Sequence, residues 1–296
     1  MLITVVIPVY NRARVAGRTL ESLDAQSWQD FRVILVDNNS TDGTAEVLRR
    51  WADAHLGRAT LLTEGRRGAA AARQRGLDAV TTEWTLFFDS DDVMLPSHME
   101  RVANAIRRHP DADIIGWNID MLRDGRKYRT GVFAARDCQY RSLFNGTMAT
   151  QRYCARTSLF RRAGGWNASL SVWDDIELGA RLLCFNPKIV KLHGRPSVQC
   201  HLQADSISRG ELAANIAQID EALAGIAASL GPRRAHWPEL KRVILAANSR
   251  GPEAEALFRR SLAATPAASR RRLLSFAYAW TRQGLPGAAA ILRIFM

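Results

Sequence analysis

Thr85-Leu86-Phe87-Phe88-Asp89-Ser90-Asp91-Asp92 is the stretch on which the reading of the chain turns. Leu86, Phe87 and Phe88 form a short apolar, aromatic run, the mark of a strand buried on both faces. Three carboxylates then arrive within four residues. Like charges so close repel, and each raises the other's pKa unless something positive lies among them. Carboxylate oxygens select hard cations, so Mg²⁺ or Mn²⁺ is the natural partner. A cation held by few protein ligands keeps open positions that phosphate oxygens fill. The plainer reading is an acidic turn capping the helix expected from Pro96.

Upstream, Ile3-Thr4-Val5-Val6-Ile7-Pro8-Val9 is β-branched and apolar, a central strand with Pro8 at its end because proline cannot donate to a ladder. Tyr10-Asn11-Arg12 forms a loop before an amphipathic helix near Val15 to Gln26. A second strand, Arg32 to Val36, ends in Asp37-Asn38-Asn39-Ser40-Thr41-Asp42-Gly43-Thr44 and leads to a helix from Ala45 to about Ala54. Strand, polar loop, helix, strand signals a parallel sheet with right-handed crossovers. Ligands bind such sheets at the carboxyl ends of the strands, where Asp37 and Asp89 both fall. The loop after Asp37 also contains good helix caps, so it reads equally as capping or binding. Glu64 to Leu77 is a Gly-punctuated basic loop running into an alanine-rich helix. It suits an anion at the helix start, or is a plain surface helix with solvated arginines. The third strand expected is Trp84 to Phe88.

Downstream, Pro96 to His109 reads as a helix and Asp113 to Trp117 as a strand, whereas Arg123 to Thr147 reads as loops and short strands. Gly164-Gly165-Trp166 permits close backbone approach. Asp174 and Asp175 open an apparent helix, where acids serve the helix dipole as readily as chemistry. His201 follows a strand and is structural or a ligand.

With 296 residues and 47% hydrophobic composition, the chain can bury a large core, as one domain or two. Cys138, Cys154, Cys184 and Cys200 are widely spaced and read as reduced thiols in a cytoplasmic protein. The opening Met1 to Tyr10 reads as a strand and not a signal peptide. No apolar run reaches the roughly 20 residues that span a bilayer. A net charge of +12 points to anionic partners: nucleotide, nucleic acid or acidic lipid. From Lys241 to Met296, ten Lys and Arg face only Glu253 and Glu255. Arg270-Arg271-Arg272 adjoins Leu273 to Trp280, which suits a membrane interface, a helical cap on the core or a homodimer contact.

Taken together, Val6 to Arg12, Val36 to Thr44, Gly68 with Ala72-Arg73, Phe88 to Asp92, and Gly164-Gly165-Trp166 before Asp174-Asp175 make the chain resemble glycosyltransferase family 2 over about its first 205 residues. The resemblance implies an α/β, Rossmann-like GT-A fold: a mostly parallel central sheet flanked by helices, here with a C-terminal helical extension. It implies a catalytic domain over 1–210, with a nucleotide-binding half about 1–118 and an acceptor half about 119–210, followed by a basic helical region 211–296. The implied activity is inverting transfer of one sugar from a nucleotide sugar, with a lean to UDP, to a hydroxyl of a glycan or lipid-linked glycan. Pro8, Tyr10 and Asp37 would line the nucleoside pocket. Arg12, Arg73, Asp89 and Ser90 would complete the nucleotide-sugar site, with Arg73 near the base or diphosphate and Asp89 facing the ribose. Asp91 would hold Mn²⁺ or Mg²⁺, and His201 a further metal or phosphate contact, followed by Ser206 and Ser208. Asp175 would be the base and Asp174 would orient the acceptor hydroxyl, with Gly165, Trp166 and Trp173 on the acceptor side.

Three departures stand out. Asp174 occupies a usual glutamate position, Arg67 and Gln74 replace common asparagines, and no Gln-x-x-Arg-Trp follows the acid pair. The missing motif, with no membrane-spanning run, implies one sugar per encounter; the basic tail suits a lipid-linked glycan of cell-envelope polysaccharide synthesis, and a cytoplasmic protein that can lie at the inner face of the cytoplasmic membrane. Nucleotidyl transfer is the main competing reading, opposed by Val9-Tyr10-Asn11-Arg12 where a Gly-rich basic loop would stand. A non-catalytic sugar-nucleotide binder conflicts with two intact acidic sites. Nucleic acid is excluded as a partner, since clustered aspartates have no use there.

Overall fold

A computed structural model describes residues 2–202, 212–231, 234, 236–249, 251–285 and 287. Seven strands form the main sheet in the order β10-β6-β9-β4-β1-β2-β3. These are β1 (Ile3–Val9), β2 (Phe31–Asp37), β3 (Ala59–Thr63), β4 (Trp84–Phe87), β6 (Ile114–Gly116), β9 (Tyr153–Arg156) and β10 (Ile189–Lys191). All pairings are parallel except those of β9, which runs antiparallel to β4 and β6. Strands β5 (Val93–Met94), β11 (Val198–Leu202), β7 (Ile119–Arg123) and β8 (Arg126–Gly131) form a smaller second sheet in that order.

Strand β1 is buried at every residue, as its unbroken apolar run requires. Pro8 pairs with Val36, while the β4 ladder ends at Val6–Phe87, so the missing N–H falls where no partner strand remains. Chain order reverses between β1 and β4, and the loops after Val9, Asp37 and Phe87 open side by side there. Such a switch point is where doubly wound sheets bind ligands.

Helices cover both faces of the main sheet. Alternate residues of β1 divide between two cores: Ile3, Val5, Ile7 and Val9 pack with helices α1 (Ala16–Asp24), α2 (Thr44–Ala54) and α4 (His98–Arg108). Val6 packs with α3 (Ala69–Asp78), and the same core takes in α6 (Thr157–Arg162) and α7 (Asp174–Leu183). A Cβ on Gly76 would lie 2.3 Å from Val6 Cγ1, so glycine there lets α3 press onto β1 and carries Arg73 inward.

The reading of the sequence missed two features. Strand β3 lies between the second and third expected strands; its short, half-exposed Ala-Thr-Leu-Leu-Thr edge carries too little alternation to stand out. Within the stretch read as loops and short strands, Cys138–Asn145 is a helix, α5, which buries Cys138, Tyr140 and Leu143. The C-terminal extension consists of α8 (Leu212–Ser229), α9 (His236–Ala247), α10 (Pro252–Ala263) and α11 (Ala268–Arg282). Ile219, Leu223, Ile226 and Leu230 pack on Leu143, Val172 and Ala180, so α8 caps α5 and α7. Buried Arg242 bonds Asp220 at 2.6 Å and also reaches Glu239, tying α9 to α8. Among the described residues no helix is long and apolar enough to cross a membrane. Ser206 and Ser208, together with Arg250 and Arg293 of the basic tail, lie outside the described residues.

Candidate active site

The loop after β1 and the loop after β2 are sewn together by side chains. Asn11 N–H donates to Ser40 Oγ (3.0 Å), Arg12 N–H to Thr44 Oγ1 (2.8 Å) and Thr41 N–H to Asn11 Oδ1 (2.8 Å). Asn38, buried behind them, donates to the carbonyls of Glu64 (2.9 Å) and Arg66 (2.6 Å) and accepts from Gly68 N–H (2.8 Å). It thereby locks the basic loop that starts α3. Tyr10 lies under the Arg67 guanidinium, 5.3 Å from ring centroid to carbon, and Arg67 also donates to its hydroxyl at 2.8 Å.

Asp37, at the tip of β2, is buried. Its Oδ2 accepts Ser40 N–H at 3.4 Å, but its Oδ1 is sealed with no donor among the described residues. A buried acceptor of this kind is costly unless a ligand completes it.

Arg73 is the hub of the site. Its guanidinium donates to Asp89 Oδ1 at 2.8 Å and to Asp174 Oδ2 at 2.6 Å, and lies 4.8 Å over the Trp166 ring. The two carboxylates hold its pKa above the usual arginine value despite burial. The end of β4 and the start of α7, far apart in the sequence, are thus joined through one side chain. Gln151 donates to the other oxygen of Asp89. Its amide fixes a carboxylate that Arg73 alone would hold from one side.

Asp91 lacks that support. Arg12 approaches its carboxylate only to 3.9 Å, while Arg18 bonds its backbone carbonyl at 2.6 Å. Burial, reinforced by Asp89, pushes its carboxyl up to about 6. Asp92 is driven well above the ordinary range by burial and then by its two neighbours; its Oδ1 accepts His201 N–H at 2.8 Å. The His201 ring is partly buried, its Nε2 has no partner among the described residues, and burial with the Arg18 charge keeps it neutral-leaning. Among the described residues no three His, Cys, Asp and Glu side chains are clustered as a ready metal cage.

Asp175 follows Asp174 on the first turn of α7. Burial, then Asp174, push it up to about 6 against the pull of Arg73, and its Oδ1 accepts Ile176 N–H at 2.8 Å. Gly164 and Gly165 both take positive φ (81° and 69°), which turns Trp166 beneath Arg73 and edge-on to Phe87 at 4.9 Å. Trp173 instead packs toward Phe144 and the C-terminal helices, with Lys241 5.3 Å over its ring. Ser90 is buried beside Ile7, Val9 and Thr19. The structure therefore gathers Asp89, Arg73, Asp174, Asp175 and Trp166 directly. Asp37, Tyr10, Arg12 and Asp91 lie along the adjoining rim, and Trp173 and Ser90 face other packing. Sequence reasoning misses Gln151 and marks Asn38 only as a motif member and Gln74 only as a departure from one. As neutral amides they give no local sign of the contacts they make.

The pattern has relatives. A 191-residue segment is 30% identical to the PGL/p-HBAD biosynthesis glycosyltransferase of Mycobacterium bovis, covering 64% of this chain and 72% of that protein. A shorter segment of 118 residues is 30% identical to the glycosyltransferase YibD of Escherichia coli, covering 40% of this chain and 34% of that one. The fold matches S. aureus TarS 1-349 in complex with UDP-GlcNAc with a TM-score of 0.74 at 18% identity, over 96% of this chain and 93% of that one. The mannosyltransferase PcManGT of Pyrobaculum calidifontis, in complex with GDP-Man and Mn²⁺, matches with a TM-score of 0.55 at 22% identity, over 99% of this chain and 86% of that one. The model of glycosyl transferase family 2 matches residues 4–164, more than half of the chain, and on this evidence the protein is a GT-A-fold member of glycosyltransferase family 2.

Proposed function

We propose that the protein is an inverting glycosyltransferase that moves one hexosyl or N-acetylhexosaminyl unit from a UDP-sugar to a hydroxyl of a glycan or lipid-linked glycan. The observation that carries this reading is the Asp89–Arg73–Asp174 bridge, which sets a pKa-raised Asp175 across from the aspartates after β4. Asp37, with its unpartnered Oδ1, offers the acceptor that a nucleobase N–H would complete, and Tyr10 offers a ring for the base to rest on. Asp89 is held rigid by Arg73 and Gln151 to face the ribose.

Asp91 suits a divalent cation: it is a carboxylate of raised pKa, with Arg12 at 3.9 Å and Arg18 held at its backbone carbonyl, and His201 Nε2 is unpartnered among the described residues. Asp91 and His201 would hold Mn²⁺ or Mg²⁺, leaving positions for diphosphate oxygens. When bound, the ion supplies charge to the departing nucleoside diphosphate. Asp175 takes the proton of the acceptor hydroxyl as that oxygen bonds to the anomeric carbon. The bond from that carbon to the diphosphate oxygen breaks with its electron pair, and a single displacement inverts the centre. Asp174, pinned by Arg73, orients the hydroxyl, and Gly165 and Trp166 shape the acceptor side from behind Arg73.

The basic C-terminal region, through residues such as Arg270, Arg271 and Arg272, supports work at the inner face of the cytoplasmic membrane on a cell-envelope glycan. The direct test is thermal stabilisation by UDP-, GDP- and dTDP-sugars with and without Mn²⁺, followed by transfer assays with the best donor. Mn²⁺-dependent stabilisation by a UDP-sugar is expected. No shift with any nucleotide sugar would overturn the proposal.

A further inference from the structure

Arg152 is the buried guanidinium for which neither the fold nor the proposed chemistry has a use. It ends the 3₁₀ turn Thr150–Arg152, between Gln151, which holds Asp89, and Tyr153, whose hydroxyl lies in the field of Asp175. Its backbone is fixed on both sides: its N–H donates to Ala149 O at 3.0 Å, and its carbonyl accepts Trp117 N–H at 2.9 Å. The side chain is 7% exposed. It runs beneath the second sheet, where a Cβ on Gly131 would meet Nη2 at 2.3 Å and Ile119 Cγ1 at 2.9 Å. Glycine at 131 therefore leaves room for this guanidinium.

No carboxylate or carbonyl among the described residues accepts from it, and its Nε is sealed without a partner. The terminal nitrogens are not among the sealed atoms, and the Asp175 carboxylate acts on the guanidinium through space. Arg73, equally buried, is neutralised by two aspartates; Arg152 has Arg129 on its flank and Asp175 only at a distance. An arginine cannot relieve burial by losing its proton at neutral pH. Guanidinium N–H groups left bare in a cleft are matched to a planar or tetrahedral oxyanion.

We propose that Arg152, assisted by Arg129, binds an oxyanion carried by the acceptor, so that the hydroxyl presented to Asp175 belongs to an anionic, phosphate- or carboxylate-bearing glycan. The inference rests on the transferase reading and narrows its acceptor class. It puts the acceptor's charge on the side of the cleft where Asp175 lies, apart from the diphosphate at Asp91. The two sites take the same chemistry from different sources, and competition separates them.

The experiment titrates the full chain with inorganic phosphate, and in parallel with acetate, while UDP and Mn²⁺ are kept saturating. Wild type should bind one of the two anions with UDP in place. Arg152→Met should weaken that binding by at least about tenfold while leaving UDP affinity unchanged. Arg152→Lys should keep part of it, because a point charge remains without the fork. Gly131→Ala retains the arginine but displaces its tip, and should weaken the anion as well; it serves if Arg152→Met does not fold. Equal anion affinity in wild type and the folded variants overturns the proposal. So does binding of neither anion, or binding seen only when UDP is absent, which would assign the arginine to the leaving diphosphate. Failure of UDP itself to bind strikes the transferase reading, whereas normal UDP binding without an anion site strikes this inference alone.

Discussion

Gln74 Oε1 accepts the backbone N–H of Trp166 at 2.7 Å, and a Cβ on the adjoining Gly165 would lie 2.1 Å from that same oxygen. The contact explains the glycine that directly precedes the tryptophan. Gly165 needs both its positive φ and its bare Cα, or the chain could not bend under α3 and seat the indole below Arg73.

Gly165→Ala should therefore harm the site through a residue that touches no reacting atom. Strain at φ 69° and the clash with Gln74 together should cost about 2–3 kcal/mol of stability. Because the Trp166 ring carries Arg73, kcat should fall with the loss of Asp174 orientation, while UDP affinity at the Asp37 side holds. Denaturant melts paired with UDP titrations check this; unchanged stability and unchanged kcat would show that the bend is not required.

The pH profile should reveal Asp175. Burial and Asp174 hold its carboxyl near about 6, so the ionised base is lost as pH falls through that value and transfer should drop about tenfold per unit below it. Stability follows the opposite sense. A folded-state pKa above the ordinary 3.8 means that the native chain holds a proton the unfolded chain releases between about pH 4 and 6. Native stability therefore declines as pH rises through that window. Asp175→Asn should abolish the acid limb and reduce transfer by about 10²–10⁴-fold. At pH 8 it should also melt on the order of 2–5 °C higher, since about 1–2 kcal/mol of ionisation cost is gone. Stopped transfer with unchanged donor binding and a raised Tm distinguishes a base from a structural acid.

Asp89 and Asp91 were legible in the sequence because charge at the end of a buried strand violates the pattern around it; Asp174 and Asp175, ordinary at a helix start, were marked by the family resemblance. The amides that position them were not. Gln151 reaches Asp89 across 62 residues, and Gln74 reaches Trp166 across 92. Glutamine is at home on any surface, so only the folded distance discloses its work. Strand β3 escaped for a related reason: its half-exposed edge residues lack the alternation that a one-faced strand shows. Trp173 shows the limit of adjacency. It precedes Asp174, yet its left-handed backbone (φ 61°) sends the ring to the C-terminal helices and away from the cleft.

Asp91→Ala should separate metal from fold. The Asp91 carboxyl has a raised pKa with Arg12 only at 3.9 Å, and Arg18 holds its backbone carbonyl, which alanine keeps, so its removal should leave the melting temperature of the free protein unchanged or slightly raised. Saturating UDP at about 100 times its Kd stabilises by about 2.7 kcal/mol when the site is intact. That gain should require Mn²⁺ in wild type and be absent in Asp91→Ala with or without Mn²⁺. Wild type in chelator and the variant in Mn²⁺ should then melt alike. A variant that still gains Mn²⁺-dependent stabilisation from UDP would place the cation elsewhere.

Lys241 carries the argument into the C-terminal helices. Its ammonium lies 5.5 Å from the Phe144 ring and 5.3 Å from the Trp173 ring, and burial alone depresses its pKa to about 8. Cation–π attraction to the two rings acts against this desolvation. The sign is set by proton binding. Between about pH 8 and 10.5 the unfolded chain holds a proton that the native chain has released, so native stability rises across that window. Lys241→Met keeps the aliphatic contact with both rings and removes the charge. It should raise stability at pH 7 by about 1–2 kcal/mol, and this gain should shrink as pH climbs towards 10. Melting curves of wild type and variant at pH 7 and pH 10 decide the matter. A variant less stable at pH 7 would mean that the two rings hold the ammonium more tightly than water does.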